Sequence, residues 1–165
     1  MIMGPVISQQ QRERILGFID TARSEGARLL TGGNAPDRAG YFVEPTVFCD
    51  VEPGATIAQQ EIFGPVASII PYDTLEEAVT IANGTVFGLS AAVWAGDPAG
   101  AMQVARKLRA GTTTINGTYW HGNDTPFGGM KQSGIGREQG LVGFEEFLET
   151  QVMGYPPIPK EGIDA

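Results

Sequence analysis

The chain has 165 residues, with 11 Lys+Arg against 19 Asp+Glu, giving a formal charge of −8 and a pI near 4.6. Its 42% hydrophobic and 18% charged residues fit a globular domain rather than a disordered chain, and the acidic balance opposes binding to nucleic acid or an anionic membrane. One cysteine excludes a disulfide framework or a Cys-based metal cluster, and the short apolar runs and the start without a basic region predict a cytoplasmic protein with no membrane span.

The first element is a helix. Ser8 is a suitable N-cap and Gln11 follows three residues on, a capping-box pattern. Ile15, Phe18, Ile19 and Ala22 recur at helical spacing, and Gly26 supplies a left-handed stop. Ala27 to Thr31 reads as a strand, and Gly32 through Gly40 as a loop. Pro45 confines the next strand to Thr46–Val51. Val66 to Tyr72 is a continuous apolar run of the kind buried on both faces. A helical stripe of Leu75, Ala78, Val79 and Ala82 ends at Asn83-Gly84, and Leu89 to Ala95 is another buried-strand run. A helix starts after Asp97-Pro98 with Ala101, Val104, Ala105 and Leu108 on one stripe, and Thr112 to Asn116 follows as a strand. This alternation predicts an α/β fold with a mostly parallel sheet flanked by helices. The glycine-rich stretch from Gly117 to Arg137 lacks periodicity, and long loops of that kind usually serve a site or a contact. A short helix at Leu141–Phe147 and an edge strand at Thr150–Tyr155 complete the expected elements.

Several residues invite a chemical reading. Gly134 to Gly140 approximates a dinucleotide fingerprint, but its last glycine is late and it follows a loop where a strand is required. Cys49 lies between acidic neighbours, Asp50 and Glu52, which oppose a thiolate, so it reads as filler. His121, the sole imidazole, sits beside Tyr119 and Trp120, where it fits either a pocket wall or a plain surface role. One histidine offers too few ligands for a metal. Asn83 and Asn116 open Asn-Gly-Thr stretches that read as turns rather than glycosylation sites. In Gln59 to Pro65, Glu61 and Phe63 stand two residues apart before a Gly-Pro turn. In an extended segment they point to the same side. That spacing fits a solvated glutamate with a core phenylalanine as well as it fits a site.

Longer segments are more specific. Gln60-Glu61-Ile62-Phe63-Gly64-Pro65-Val66 resembles the Glu-Glu-Ile-Phe-Gly-Pro-Val signature of the aldehyde dehydrogenase family. Pro126-Phe127-Gly128-Gly129-Met130-Lys131-Gln132-Ser133-Gly134 is similar to that family's Pro-Phe-Gly-Gly-Tyr-Lys-Gln-Ser-Gly segment, with Met130 in place of the usual tyrosine. Gly40 to Val47, Glu77 to Asn83 and Phe87 to Val93 agree in order and spacing, so the likeness runs from about Gly4 to Tyr155.

The resemblance implies an incomplete aldehyde dehydrogenase catalytic domain over residues 1–148 and a C-terminal oligomerisation strand and tail over 149–165. The cofactor implied is NAD or NADP, with Glu61 on the nicotinamide ribose and Phe63 beside the nicotinamide ring. Trp120, His121 and Phe127 would line the pocket for an aldehyde substrate, and a homo-oligomer is implied. The family's nucleophilic cysteine, glutamate base, asparagine donor and cofactor domain would precede residue 1, and Cys49 does not match the nucleophile. No catalytic residue is therefore expected here, nor turnover by the chain alone. A non-catalytic module pairing with full-length subunits is the second expectation. An unrelated enzyme using Cys49 or His121 is the third.

Overall fold

The computed structural model describes residues 3–117 and 122–156. Helix α1 (Gln9–Ser24) opens as its sequence demands, with the Ser8 side chain accepting from the Gln11 amide. The capping box is only half made, because the Gln11 side chain turns away to a distant segment. Ile15, Ile19 and Ala22 form the buried stripe, and Gly26 follows the helix at φ +89°.

Strands β1 (Arg28–Thr31) and β2 (Thr46–Cys49) pair antiparallel with a bulge near Thr31, and β2 pairs parallel with β3 (Val66–Ser68). No helix lies between β1 and β2, so the chain returns as a hairpin-like excursion. Buried Thr46 anchors its base, accepting from the Gly33 amide at 2.8 Å and donating to the Glu44 carbonyl at 2.8 Å. A one-turn helix, α2 (Thr56–Gln59), connects β2 to β3. The core lies here: Ile15, Ile19, Ala22, Val43, Phe48, Val51, Ile57 and Ile62 form one cluster between α1 and this sheet.

The second half is thinner. Helix α3 (Leu75–Asn83) starts on Thr74, whose side chain accepts from the Glu77 amide, while Glu77 reaches back to the Asp73 amide. β4 (Ser90–Val93), α4 (Pro98–Ala105) and β5 (Thr112–Ile115) form a parallel βαβ unit, with Asp97 capping α4. The strands thus form two small sheets rather than one, two of the three pairings being parallel. β3 and β4 do not pair, and α3 lies between them in the chain. β4 and β5 are only partly buried, and α3 buries no residue fully, so the Leu89–Ala95 run does not have both faces covered.

The glycine-rich segment has structure without periodicity. A bridge pairs Phe127 with Glu138, and a single 3₁₀ turn forms at Lys131–Ser133. Helix α5 (Gly140–Glu145) follows, shorter than the expected Leu141–Phe147. The expected strand at Thr150–Tyr155 is not formed: residues 149–156 pair with no strand among the described residues and stay exposed. A strand needs a neighbouring edge, and none of the described edges reaches this segment. No helix among the described residues is long and apolar enough to cross a membrane.

Candidate functional site

The segment Gln60–Gly64 leaves α2 and runs to β3 outside any regular element. Its backbone is gripped from α1. Arg14 donates to the carbonyls of Ile62 at 3.0 Å and Glu61 at 2.9 Å, and the Gln11 amide donates to Ile62 at 3.0 Å and Phe63 at 3.1 Å. At the other end, both oxygens of Glu25 hold the Thr56 amide and hydroxyl, supplying the cap that Ala55 lacks. Gly64 is small because Ile15 is against it: a Cβ there would stand 2.7 Å from Ile15 Cγ1.

Held this way, Phe63 sits at φ +55° with its ring 75% exposed. The left-handed region is disfavoured for a bulky side chain and is usually maintained by surrounding structure. Phe63 is therefore not the core residue that one reading of the spacing allowed. Ile62 between it and Glu61 points inward and is buried. The Glu61 carboxylate is exposed and makes no hydrogen bond or ion pair among the described residues.

Glu61 and Phe63 share a shallow cleft of about 420 Å³ with Gly64 and Val66. Glu61 also edges a cavity of about 470 Å³ formed with Asn83, Gly88, Leu89, Arg109 and Ser133. Leu89 and Ser133 in turn line a third cavity, of about 390 Å³, which holds Phe127, Arg137 and Phe147. The three spaces share lining residues: Glu61 lines the first two, and Leu89 and Ser133 line the second and third. Trp120 and His121 lie outside the described residues.

The floor of the third cavity is the Pro126–Arg137 segment, fixed by braces that sequence inspection does not reveal. Lys131, at φ +56°, donates its ammonium to the carbonyls of Asn83 at 3.1 Å and Thr85 at 2.8 Å. The Gly88 amide donates to Ser133 Oγ at 2.9 Å, and the Met130 amide donates to the Gly88 carbonyl. Arg137 donates to the carbonyls of Gly129 and Gly136. Gln11, Arg14, Lys131 and Ser133 all serve distant backbone, so local spacing carries no trace of their roles, whereas Arg137 braces its own loop. The one signal was Gln11, which local rules assigned to a capping box.

Cys49 occupies β2, buried, with its Sγ 3.5 Å from both the Arg28 carbonyl and Asp50 Oδ2. Burial and the hydrogen bond to Asp50 push its thiol above the ordinary range. Hydrogen bonds from Arg28 and then Cys49 hold the Asp50 carboxyl below its usual range. Among the described residues no three His, Cys, Asp or Glu side chains gather as metal ligands.

The Glu61 carboxylate, unpartnered among the described residues, thus stands beside the exposed Phe63 ring on a loop braced from α1. The aldehyde dehydrogenase family model matches residues 1–153. Betaine aldehyde dehydrogenase of Cereibacter sphaeroides is 44% identical over 149 residues, covering 90% of this chain and 31% of that protein. Among solved structures, apo betaine aldehyde dehydrogenase of Staphylococcus aureus superposes with a TM-score of 0.88 at 42% identity, over 92% of this chain and 31% of the other. Mycobacterium tuberculosis aldehyde dehydrogenase complexed with NAD+ superposes with a TM-score of 0.86 at 47% identity, over 94% and 33%. The chain belongs to the aldehyde dehydrogenase family. It spans about 30% of the length of the curated relatives it matches.

Proposed function

We propose that this chain is the later part of the catalytic domain of an NAD(P)-dependent aldehyde dehydrogenase, which oxidises aldehydes to carboxylic acids in the cytoplasm. Residues 149–165 are its oligomerisation strand and tail. The observation that carries this assignment is the unpartnered Glu61 carboxylate beside exposed Phe63, with Phe127 lining a cavity that shares Leu89 and Ser133 with the one Glu61 edges. These residues fit the nicotinamide-ribose end of the cofactor. A carboxylate offers two acceptor oxygens, enough for two neighbouring ribose hydroxyls. A ring held out on a left-handed turn offers a face or edge to a flat heterocycle. NAD(P), when bound, accepts hydride from the substrate carbon.

The chain's own part is to bind and orient. Glu61 would hold the ribose hydroxyls, Phe63 would lie beside the nicotinamide, and Phe127 with Leu89 would make an apolar wall that keeps water from the substrate side. Trp120 and His121 complete the aldehyde pocket in this assignment. No described residue serves as nucleophile. A useful cysteine needs a low pKa and access, and Cys49 is buried with a raised pKa. The nucleophile, the base that activates water and the cofactor domain belong to the remaining part of the enzyme. Parallel sheets are normally covered on both faces. The half-exposed β4–β5 pair is therefore a surface for that part, and the family's homo-oligomer covers more.

The test is aldehyde-dependent NADH or NADPH formation by the purified chain, alone and mixed with the N-terminal portion of a relative. The expected result is no turnover alone and turnover in the mixture. Turnover by the chain alone overturns the assignment of the nucleophile elsewhere. A second reading, a non-catalytic module that pairs with full-length subunits, is favoured by one observation: Phe147, Val152, Met153 and Tyr155 are exposed beside an unpaired segment. Co-purification with a full-length subunit, without gain of activity, distinguishes it.

A further inference from the structure

We propose that Gln11 and Arg14 are positioning residues for the cofactor edge: from α1 they grip the consecutive carbonyls of Glu61, Ile62 and Phe63, setting both the turn that presents the Phe63 ring and the direction of the Glu61 carboxylate. This rests on the assignment of Glu61 and Phe63 to the nicotinamide-ribose end.

Four side-chain donor bonds of 2.9–3.1 Å converge on three successive carbonyls, across sequence separations of 47 to 52 residues. These residues belong to no strand, so no ladder fixes their backbone. The Phe63 torsion lies where a bulky residue stays only under an external hold. Arg14 is suited to the task. Its planar fork spans two carbonyls, its charge strengthens each bond, and its guanidinium rests 4.8 Å over the Phe18 ring, which directs it. Gln11 forgoes the local cap bond open to it and joins Arg14 instead. The same helix holds the rest of the segment, with Glu25 on Thr56 and Ile15 against Gly64. α1 is thus a splint for residues 56–64. Neither Gln11 nor Arg14 needs to touch the ligand. They act through the backbone that carries Glu61 and Phe63.

The test uses the full 165-residue chain, ¹⁵N-labelled, with nicotinamide riboside as the probe. Two quantities are read: backbone order parameters of residues 61–63 without probe, and probe affinity from amide shifts. Arg14→Met and Gln11→Glu leave the buried stripe of α1 intact. Each is expected to drop the order parameters from about 0.85 to below about 0.6. Each should weaken probe binding about tenfold, equivalent to one strong bond, with the α1 amides unmoved. Arg14→Lys, which keeps one donor group, should restore part of both. Unchanged order in both variants overturns the proposal. So does lost order with unchanged affinity, which would make the grip purely structural. Glu61→Gln is the separate control: if it leaves probe affinity unchanged, the assignment of Glu61 fails and the proposal falls with it. The other two failures leave that assignment standing.

Discussion

Gly111 is the point where strand β5 meets the Pro126–Arg137 segment, and an alanine there tests whether the two are in register. A methyl on Gly111 would overlap the Gly128 carbonyl oxygen and stand 2.8 Å from its carbon and 3.3 Å from the Leu89 carbonyl oxygen. Carbon atoms pack best at about 3.5–4.0 Å, so one backbone must retreat by more than about 1 Å to clear the Gly128 carbonyl. Neither neighbour is the flexible end of a side chain. Retreat also strains the Gly111-to-Gly88, Met130-to-Gly88 and Thr112-to-Leu89 bonds, each worth about 1 kcal/mol net. With overpacking at about 1–3 kcal/mol, Gly111→Ala should lose about 2–4 kcal/mol. At a urea slope near 2 kcal/mol/M, the midpoint falls by about 1–2 M. The control is Gly17→Ala in the interior of α1, where an added Cβ meets nothing within 4 Å. It should gain about 0.5–1 kcal/mol from helix propensity. If Gly111→Ala unfolds within about 0.5 kcal/mol of the parent chain, the segment is not packed over β5, and the wall between Leu89 and Phe127 is wrongly drawn.

Other substitutions probe separate links. Thr46→Val keeps the shape of a buried side chain but strands the Gly33 amide and Glu44 carbonyl, and chemical denaturation should show a loss of about 1–3 kcal/mol. Cys49 has a raised pKa from burial first and Asp50 second, so its thiolate forms only above the ordinary thiol range. Iodoacetamide should label it more slowly at neutral pH than it labels the urea-unfolded chain, and equal rates would refute the burial. The linkage has the same sign: the native state favours the protonated thiol, so this contribution is present below the unfolded thiol pKa and lost as pH rises through the folded one. Phe147 and Val152 are 84% and 89% exposed. Apolar surface of this kind drives association, so Phe147→Glu with Val152→Lys should shift sedimentation toward the monomer, and an unchanged profile would remove that surface from the interface.

What could be read from the sequence followed the range of the interactions. Helices α1, α3 and α4 carry their caps within a few residues, at Ser8, Thr74 and Asp97, so their starts are local facts. α2 is four residues long and takes its cap from Glu25, 31 positions away, and nothing nearby announces it. The strand expected over Val66–Tyr72 is formed only over Val66–Ser68; Ile69 still bonds Phe48 and Val51, and Pro71 then brings no amide to a ladder. Apolar runs promised strands covered on both faces, yet β4 and β5 remain half open, since cover is a property of neighbours rather than of the run itself. Thr150–Tyr155 has a strand's composition and no strand partner among the described residues. At the site, Glu61 and Phe63 stood out by type and spacing, but the exposure of Phe63 depends on a left-handed torsion held from α1. The bonds of Arg14 run to a loop 47 residues on, beyond the reach of local spacing.

In the proposed enzyme, Glu61 forms the cofactor edge, and the remaining catalytic groups lie in its other part. The most direct measurement is the dependence of turnover on NAD+ concentration in the chain reconstituted with a relative's N-terminal portion, comparing the parent with Glu61→Gln. The side chain is exposed and unpaired, so the substitution leaves folding untouched. The expected result is a KM for NAD+ raised about tenfold, or kcat lowered by as much, the value of one charge-assisted bond to a ribose hydroxyl. Identical kcat and KM in the two reconstituted enzymes would contradict it.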